Sequence, residues 1–171
     1  LIASTRAGNV IGGGDWAEDR LIPDIMKAFI ANLPIKIRYP NAIRPWQYVL
    51  EPLEGYLKLA EKLWIDGSEL VGAWNFGANE GEAKPVWWVA DYLIQKWGKK
   101  AKWISDSAEN MHEATYLKLD CSKARALLDW RPKLNIEETL NVTVNWYKAY
   151  AKGKDMRAIT LEEIAWYEKN I

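Results

Sequence analysis

Sulfur and imidazole ligands are almost missing from this 171-residue chain, which contains one cysteine, Cys121, and one histidine, His112. A single cysteine cannot form a disulfide within the chain, and this usage is typical of a reducing cytoplasm, where we expect the protein to work. One histidine and one cysteine among scattered carboxylates match no metal-ligand spacing. The sequence therefore predicts no metal site.

The chain also lacks a net charge and long apolar runs. Its 23 Lys and Arg residues balance 23 Asp and Glu residues, so no overall field draws it onto nucleic acid or an anionic membrane. No apolar stretch approaches the roughly 20 residues that span a bilayer. We therefore expect neither a nucleic acid nor a membrane as partner, and any bound phosphate must be held by a few placed arginines.

The beginning of the chain lacks an initiating methionine and the pattern of a signal peptide. Its first residues, LIAST, have instead the composition of the middle of a buried strand, which we predict over residues 1–6. We therefore expect the sequence to be a piece of a longer protein.

What the chain does contain is an alternation of strand-like and helical segments, which is typical of α/β architecture. Further strands are predicted at 34–39, 73–78, 102–106 and 116–120. Apolar spacing predicts a helix from Ile22, and Asn135 with Glu138 forms a capping box that begins another.

Three other helices follow from the same signals. One of them closes at Gly67, and its predicted apolar face consists of Leu53, Tyr56, Leu57, Ala60, Leu63 and Trp64. A second helix ends at Gly98. Thr160 with Glu163 forms a further capping box, which predicts the start of the last helix.

A glycine-rich segment, RAGNVIGGGDW at residues 6–16, has the look of a dinucleotide loop. Three carboxylates, Asp15, Glu18 and Asp19, lie where the phosphate-binding helix would begin, and they would repel a phosphate there. Helical periodicity also starts only near Ile22. We therefore interpret the segment as the end of a late strand in a Rossmann sheet, where ligands bind outside the carboxyl ends of the strands.

This segment, with RLIP at 20–23, RPWQYVLEPL at 44–53 and LKLDCSKARALLDWRP at 117–132, closely resembles the extended short-chain dehydrogenase/reductase family of nucleotide-sugar enzymes, in its CDP-glucose 4,6-dehydratase branch. The resemblance spans nearly the whole chain. It implies an α/β fold with the carboxyl-terminal end of a Rossmann-type sheet in 1–20. A smaller mixed α/β substrate-binding lobe would follow in 21–171, and residues of about 40–76 would return to the Rossmann part.

The resemblance also implies a site for a CDP-sugar and for NAD. Substrate would be bound by Asn9, Arg20, Leu21, Arg38, Arg44, Trp46 and His112. Asn9 would contact the diphosphate and Arg44 would pair with it, since a guanidinium can donate two hydrogen bonds to phosphate oxygens. The backbone of Ala7 and Gly8 would lie near the nicotinamide of NAD.

Several of these residues also have a purely structural interpretation. Asn9 could bond local backbone in a turn, and Arg20 could be a solvated side chain beside Asp19. His112 lies in a polar loop where a lone histidine is commonly structural. Arg44 precedes a proline and lies between apolar residues, which favours partial burial and therefore an anionic partner.

The family's NAD-binding glycine loop, its Tyr-x-x-x-Lys pair and its acidic pair lie upstream of a segment like this one, so none is expected here. Tyr92 and Lys96 fit the Tyr-x-x-x-Lys spacing, which we treat as coincidence. The resemblance thus implies the nucleotide-sugar-binding portion of a dehydratase-like lyase, inactive alone, and a second copy of the chain in a homodimer is a further candidate partner. A stand-alone binding or dimerisation module, or a related epimerase or dehydratase for another base, remains open.

Overall fold

A computed structural model describes residues 1–98, 102–105 and 119–170 of the chain. Strands and helices alternate through most of it, as the sequence predicts. The strands are β1 (Ala3–Ala7), β2 (Asn9–Ile11), β3 (Ile35–Ile37), β4 (Ile43–Tyr48), β5 (Gly72–Phe76), β6 (Ala83–Pro85) and β7 (Trp103–Ser105). The helices are α1 (Leu21–Ala31), α2 (Leu50–Asp66), α3 (Val86–Trp97), α4 (Ser122–Leu128), α5 (Ile136–Ala151) and α6 (Met156–Lys169).

The described strands form small, mostly parallel sheets. β1 pairs with β5 so that Ala7 lies opposite Phe76, and β3 pairs with β7. β2 pairs with β4 so that Asn9 lies opposite Trp46, and β6 adds to the other edge of β4 in the antiparallel direction. The pairing of β2 with β4 is what brings the glycine-rich segment beside the RPW motif.

Two hydrophobic clusters hold the elements together. The larger one joins α1, α3 and α5 to β3 and β4, and its most buried members include Ile25, Met26 and Leu140. The smaller one joins α2, α4 and β5 through the rings of Trp74, Phe76 and Trp130. Burial of large aromatic and aliphatic side chains in this way is the main source of stability in such a fold.

The local signals for helices α1 and α5 are confirmed. The buried residues of α1 include Ile22, Ile25, Met26 and Phe29, which are the positions that the apolar spacing predicts. At the start of α5 the Asn135 side chain accepts from the backbone of Glu138, and the Glu138 carboxylate accepts from the backbone of Asn135. Each signal depends only on neighbouring residues, which is why sequence alone finds it.

The buried face of α2 differs from the prediction. Leu53, Leu57 and Trp64 are exposed, Trp64 to 90%, whereas the helix turns Gly55 and Leu59 inward. The reason is the fit at Gly55, where a Cβ atom would lie 2.4 Å from the Phe76 ring. The aromatic rings of the smaller cluster therefore approach α2 at Gly55. Of the predicted apolar face, Tyr56 and Leu63 pack against this cluster, whereas Leu53, Leu57 and Trp64 do not, so the prediction is right only in part.

The first strand is also less buried than predicted. β1 begins at Ala3, and the apolar side chains of Leu1 and Ile2 before it are exposed. Among the described residues, β1 pairs with β5 alone. The second edge of β1 is therefore not paired within the described residues. For this reason β1 is less buried than its apolar composition predicts.

Helix α6 begins earlier than the predicted capping box. It starts at Met156, where the Asp155 carboxylate accepts from two backbone amides of the first turn. Thr160 and Glu163 lie inside the helix and use their side chains for tertiary contacts, such as the Trp146 Nε1–H to Thr160 hydrogen bond of 2.9 Å. The capping-box pattern was therefore a wrong signal at this position.

The two short strands predicted after α3 have different outcomes. The first is present as β7. The second, predicted at 116–120, falls mostly outside the described residues, and Leu119 and Asp120 are not in a strand.

Candidate functional site

A cavity of about 580 Å³ lies between the end of β1, the glycine-rich loop, the start of α1 and strands β3 and β4. It collects the predicted site residues that the structure describes. These are Ala7, Gly8, Asn9, Arg20, Leu21, Arg38, Arg44 and Trp46. The remaining one, His112, lies outside the described residues.

One wall of the cavity is formed by β2 and β4. Asn9 on β2 lies opposite Trp46, and Arg44 precedes Trp46 by two positions on β4. Arg44 is only 6% exposed, and its guanidinium donates to the backbone carbonyl of Ile43 at 2.9 Å. Because a guanidinium does not lose its proton in proteins, this wall carries a buried positive charge beside the amide of Asn9.

A second wall is the beginning of α1. Arg20 is the N-cap residue in extended conformation, and no side chain caps the helix within the described part of the chain. The first helical residues, from Leu21 to Asp24, line the cavity. The positive end of the helix dipole and the backbone N–H groups of Leu21 and Ile22 therefore lie at the cavity, an arrangement suited to anions. Pro23 has no N–H, and the Asp24 N–H donates to the Arg20 carbonyl.

Ion pairs surround the mouth of the cavity. Arg20 pairs with Asp15 at 3.4 Å, and Arg38 pairs with Asp19 at 3.2 Å. Asp24 lies nearby, and partial burial raises the pKa of its carboxyl above the usual value. The mouth thus combines guanidiniums that can bind phosphate with carboxylates that compete for them.

The glycines of the loop are explained by packing. A Cβ at Gly13 would lie 2.1 Å from the Trp146 ring, and one at Gly12 would lie 2.7 Å from Val49. Gly14 has a φ of +82°, which favours glycine. Helix α5 therefore occupies the space beside these glycines that a dinucleotide phosphate would need, in agreement with the interpretation that this is not a cofactor loop.

The described residues do not form a binding site for the whole of NAD. Ala7 and Gly8 border the cavity, and a Cβ at Gly8 would meet its nearest neighbours only at 3.9 Å, so there is room beside this backbone. The glycine loop, however, is filled by Trp146 and supplies no place for the pyrophosphate. No chemical step through NAD can be derived from this part of the chain.

The Tyr92 and Lys96 pair lies elsewhere. The Tyr92 hydroxyl donates to the backbone of Glu137 at 3.5 Å, and the Lys96 ammonium lies 5.1 Å from the centre of the Tyr92 ring. Neither residue lines the cavity. Their position on α3 agrees with treating the Tyr-x-x-x-Lys spacing as coincidence.

Sequence analysis missed two parts of the site. It read Asp15 and Asp19 only as a repulsive feature, although each pairs with an arginine at the cavity mouth. It also assigned no role to Ile35 and Ile37, which line the cavity from β3. Lys36 and Arg38 line the cavity as well, so the alternation of apolar and basic residues in IKIR does not single out its wall.

Other classes of site find no support in the described residues. Within residues 1–98, 102–105 and 119–170, no group of three or more His, Cys, Asp or Glu side chains is placed to hold a metal ion. In the same part of the chain, none of the helices has the length and apolar character needed to cross a bilayer.

The described elements form an α/β fold of the Rossmann type, which the chain shares with solved structures of nucleotide-sugar epimerases and dehydratases. The Bacillus cereus UDP-glucuronic acid 4-epimerase, solved with UDP-glucuronic acid and NAD, superposes with a TM-score of 0.72 over 85% of this chain and 45% of its own, at 19% identity. The Bacillus anthracis dTDP-glucose 4,6-dehydratase, solved with NAD, gives 0.65 over 85% and 44%, at 19% identity.

Another relative has a higher sequence identity to this chain. The chain is 49% identical over 166 residues to the CDP-glucose 4,6-dehydratase of Salmonella typhimurium, which covers 97% of this chain and 46% of that protein. No protein-family model matches the chain. The chain thus spans about half the length of the curated relatives it matches. It is similar in sequence to CDP-glucose and dTDP-glucose 4,6-dehydratases, and in fold to nucleotide-sugar epimerases and dehydratases.

Proposed function

We propose that this chain is the carboxyl-terminal, nucleotide-sugar-binding portion of a CDP-glucose 4,6-dehydratase-like lyase. The observation that carries the proposal is the cavity, where the described site residues predicted from sequence converge. Its task in the reaction is to hold the nucleotide diphosphate and so aim the hexose at NAD. NAD itself, and the groups that move hydride and protons, belong in this proposal to the part of the relatives that the chain does not span.

The charges of the cavity support a particular placement of the ligand's diphosphate within it. Arg44 offers a fixed, buried guanidinium, and the Asn9 amide beside it can donate a hydrogen bond to a phosphate oxygen. The uncapped start of α1 adds backbone donors and the positive end of a helix dipole. We assign the diphosphate to this region, with Trp46 as part of the same wall and the backbone of Ala7 and Gly8 toward the nicotinamide.

The division of the chain follows the same proposal. The smaller cluster, built from α2, β5 and α4, packs apart from the larger one that surrounds the cavity. We assign 1–20 and about 40–76 to a Rossmann part, with the rest of 21–171 mainly forming the substrate lobe. The common packing of α2 and β5 in the smaller cluster supports the part of this division within 50–76, whereas Ile11 and β4 pack in the larger cluster. Assignment of the protein to the cytoplasm remains a prediction from its cysteine usage.

Binding of CDP to the 171-residue chain, measured by isothermal titration calorimetry, tests the proposal. We expect CDP to bind more tightly than UDP or dTDP, and Arg44→Ala to weaken CDP binding about 10- to 100-fold. A charge-assisted hydrogen bond contributes about 1.5–3 kcal/mol, and each 1.4 kcal/mol changes Kd tenfold.

Two further variants make this result interpretable. Arg157→Ala removes an exposed arginine of α6 that does not line the cavity, and it should leave Kd unchanged. Arg44→Lys keeps the charge of a buried residue but loses its planar fork, so it should fold normally and still weaken binding. Unchanged CDP affinity in both Arg44 variants would refute the site, whereas equal affinity for the three nucleotides would leave only the broader family.

A second candidate function is a stand-alone module that dimerises, and one observation favours it. The exposed Leu53, Leu57 and Trp64 lie on one side of α2, an apolar surface of the kind that often mediates association. Light scattering coupled to gel filtration tests this: a dimer that Trp64→Lys converts to a monomer, without any CDP binding, would favour the module. A dimer that also binds CDP is compatible with the enzyme.

A further inference from the structure

We propose that Asp19 acts as an internal competitor for Arg38, holding its guanidinium in the free protein and giving way when the phosphates of a ligand enter. This inference rests on the proposed function, because it concerns how the same cavity admits a nucleoside diphosphate. It assigns a role to a carboxylate that lines a site otherwise suited to anions.

The geometry of the pair places it across the mouth of the cavity. Asp19 lies in the loop before α1 and Arg38 directly follows β3, and both residues line the cavity. Their side chains meet at 3.2 Å. The ion pair therefore joins the loop before α1 to the end of β3 across two sides of the cavity.

The loop is fixed at one end and exposed at the other. The Asp15 carbonyl accepts from the Tyr147 hydroxyl, and the Trp16 ring packs against the rings of Tyr147 and Tyr150. The tip from Glu18 to Arg20 is exposed, by contrast. A rearrangement that releases Asp19 therefore involves only the tip and leaves the anchored part in place.

The backbone conformation of Asp19 also distinguishes the exposed tip of the loop from its anchored part. Its φ is +58°, a left-handed conformation that few residues other than glycine adopt, although Asp and Asn tolerate it better than most. The conformation carries the carboxylate to Arg38 and is not favoured on its own. Loss of the ion pair therefore removes a reason for the tip to stay in place.

We expect a ligand phosphate to displace Asp19 from Arg38 for an electrostatic reason. The Arg38 side chain is 48% exposed and that of Asp19 is 83% exposed, so water screens the pair and it contributes little. A diphosphate brings more negative charge and several acceptor oxygens to the same guanidinium. A nucleoside without phosphate gains nothing at Arg38 and has no need to displace Asp19, so the competition acts only on phosphorylated ligands.

Titration of CDP and of cytidine into the 171-residue chain tests this role. The variants are Asp19→Asn, Arg38→Ala and the double variant, and Glu18→Gln serves as the matched control because it removes the same charge from the neighbouring residue. Asn also tolerates a left-handed backbone, so Asp19→Asn should fold, which circular dichroism checks.

We expect Asp19→Asn to tighten CDP binding about two- to fivefold at low salt, as suits an exposed ion pair, and to leave cytidine binding unchanged. The gain should vanish in the Arg38→Ala background and be absent in Glu18→Gln. Unchanged or weaker CDP binding in Asp19→Asn, or an equal gain in Glu18→Gln, would overturn the competitor role while the proposed function stands. No CDP binding to the unmutated chain would overturn both.

Discussion

Carboxylates have different roles in two regions of this molecule. One region is the mouth of the cavity, and the other is the contact between α6 and the elements it packs against. At the mouth, Asp15 and Asp19 are partly or largely exposed and pair with arginines. Where α6 packs on the rest of the chain, Glu51 is buried and Glu163 is half-buried, and both accept hydrogen bonds from neutral donors. Exposed pairs with arginine can be exchanged for a ligand, whereas the enclosed carboxylates fix one element of the fold against another.

Glu51 shows the fixed kind most fully. Its side chain is fully buried, and its oxygens accept from the backbone amides of Lys133 and Leu134 and from the Tyr167 hydroxyl, all within 3.0 Å. Burial raises the pKa of this carboxyl, although the backbone hydrogen bonds oppose the shift. The residue ties α2 to α6 and to the loop before α5.

Glu163 is a weaker form of the same contact. Its carboxylate accepts from the Tyr48 hydroxyl at 2.9 Å, and burial raises the pKa of Glu163 to about 7. Burial also raises the pKa of Tyr48, so this hydroxyl stays a donor across the ordinary pH range. Tyr48 ends β4, the strand that carries Arg44 and Trp46, so α6 is attached to the strand of the cavity wall.

The largest effect should come from removing the fixed carboxylate. We expect Glu51→Ala to lower the free energy of unfolding by about 3–5 kcal/mol, because it leaves buried donors without a partner. Asp19→Asn, which removes a carboxylate at the cavity mouth, should change it by less than about 1 kcal/mol. Urea denaturation measures both, and similar values for the two variants would contradict the distinction between the regions.

A smaller effect should follow from crowding the loop that leads to the cavity mouth. Gly13→Ala places a methyl group against the Trp146 ring, which we expect to cost about 1–3 kcal/mol of unfolding free energy. Gly81→Ala is the matched control, since a Cβ there meets nothing within 4 Å. Equal stability of the two variants would show that α5 does not fix the loop.

The smallest effect concerns pH. Because Glu163 has a pKa of about 7 in the folded chain and an ordinary value near 4.5 when unfolded, the folded state binds the extra proton between these values. Its contribution to stability is therefore present at low pH and is lost as the pH rises through about 7. We expect the free energy of unfolding of Glu163→Gln to fall less between pH 5 and pH 8 than that of the unmutated chain. Identical pH profiles of the unfolding free energy for the two proteins would contradict this prediction.

Sequence predicted those parts of the fold that depend on neighbouring residues. The apolar face of α1 and the capping box of α5 needed nothing beyond local spacing. The apolar face of α2 was predicted only in part: Tyr56 and Leu63 pack against the smaller cluster, but the approach of the Phe76 and Trp130 rings to Gly55 depends on distant positions. The capping box predicted at Thr160 and Glu163 is wrong for a similar reason, because both side chains make tertiary contacts.

The site was predicted from motif resemblance more than from periodicity. Strand β4 was not predicted, although it forms the wall that carries Arg44 and Trp46. A proline within RPWQY weakens the usual signal for a strand. Arg44 was nevertheless expected to be partly buried, and it is. The pairing of Arg38 with Asp19 could not be foreseen, because it depends on where a loop crosses the end of β3.

The most direct test of the central claim is a crystal structure of the chain with CDP bound. The account predicts that the diphosphate lies in the cavity between Arg44, Asn9 and the first turn of α1, with Asp19 released from Arg38. CDP bound outside this cavity, or bound within it with its phosphates directed away from Arg44, would contradict the account.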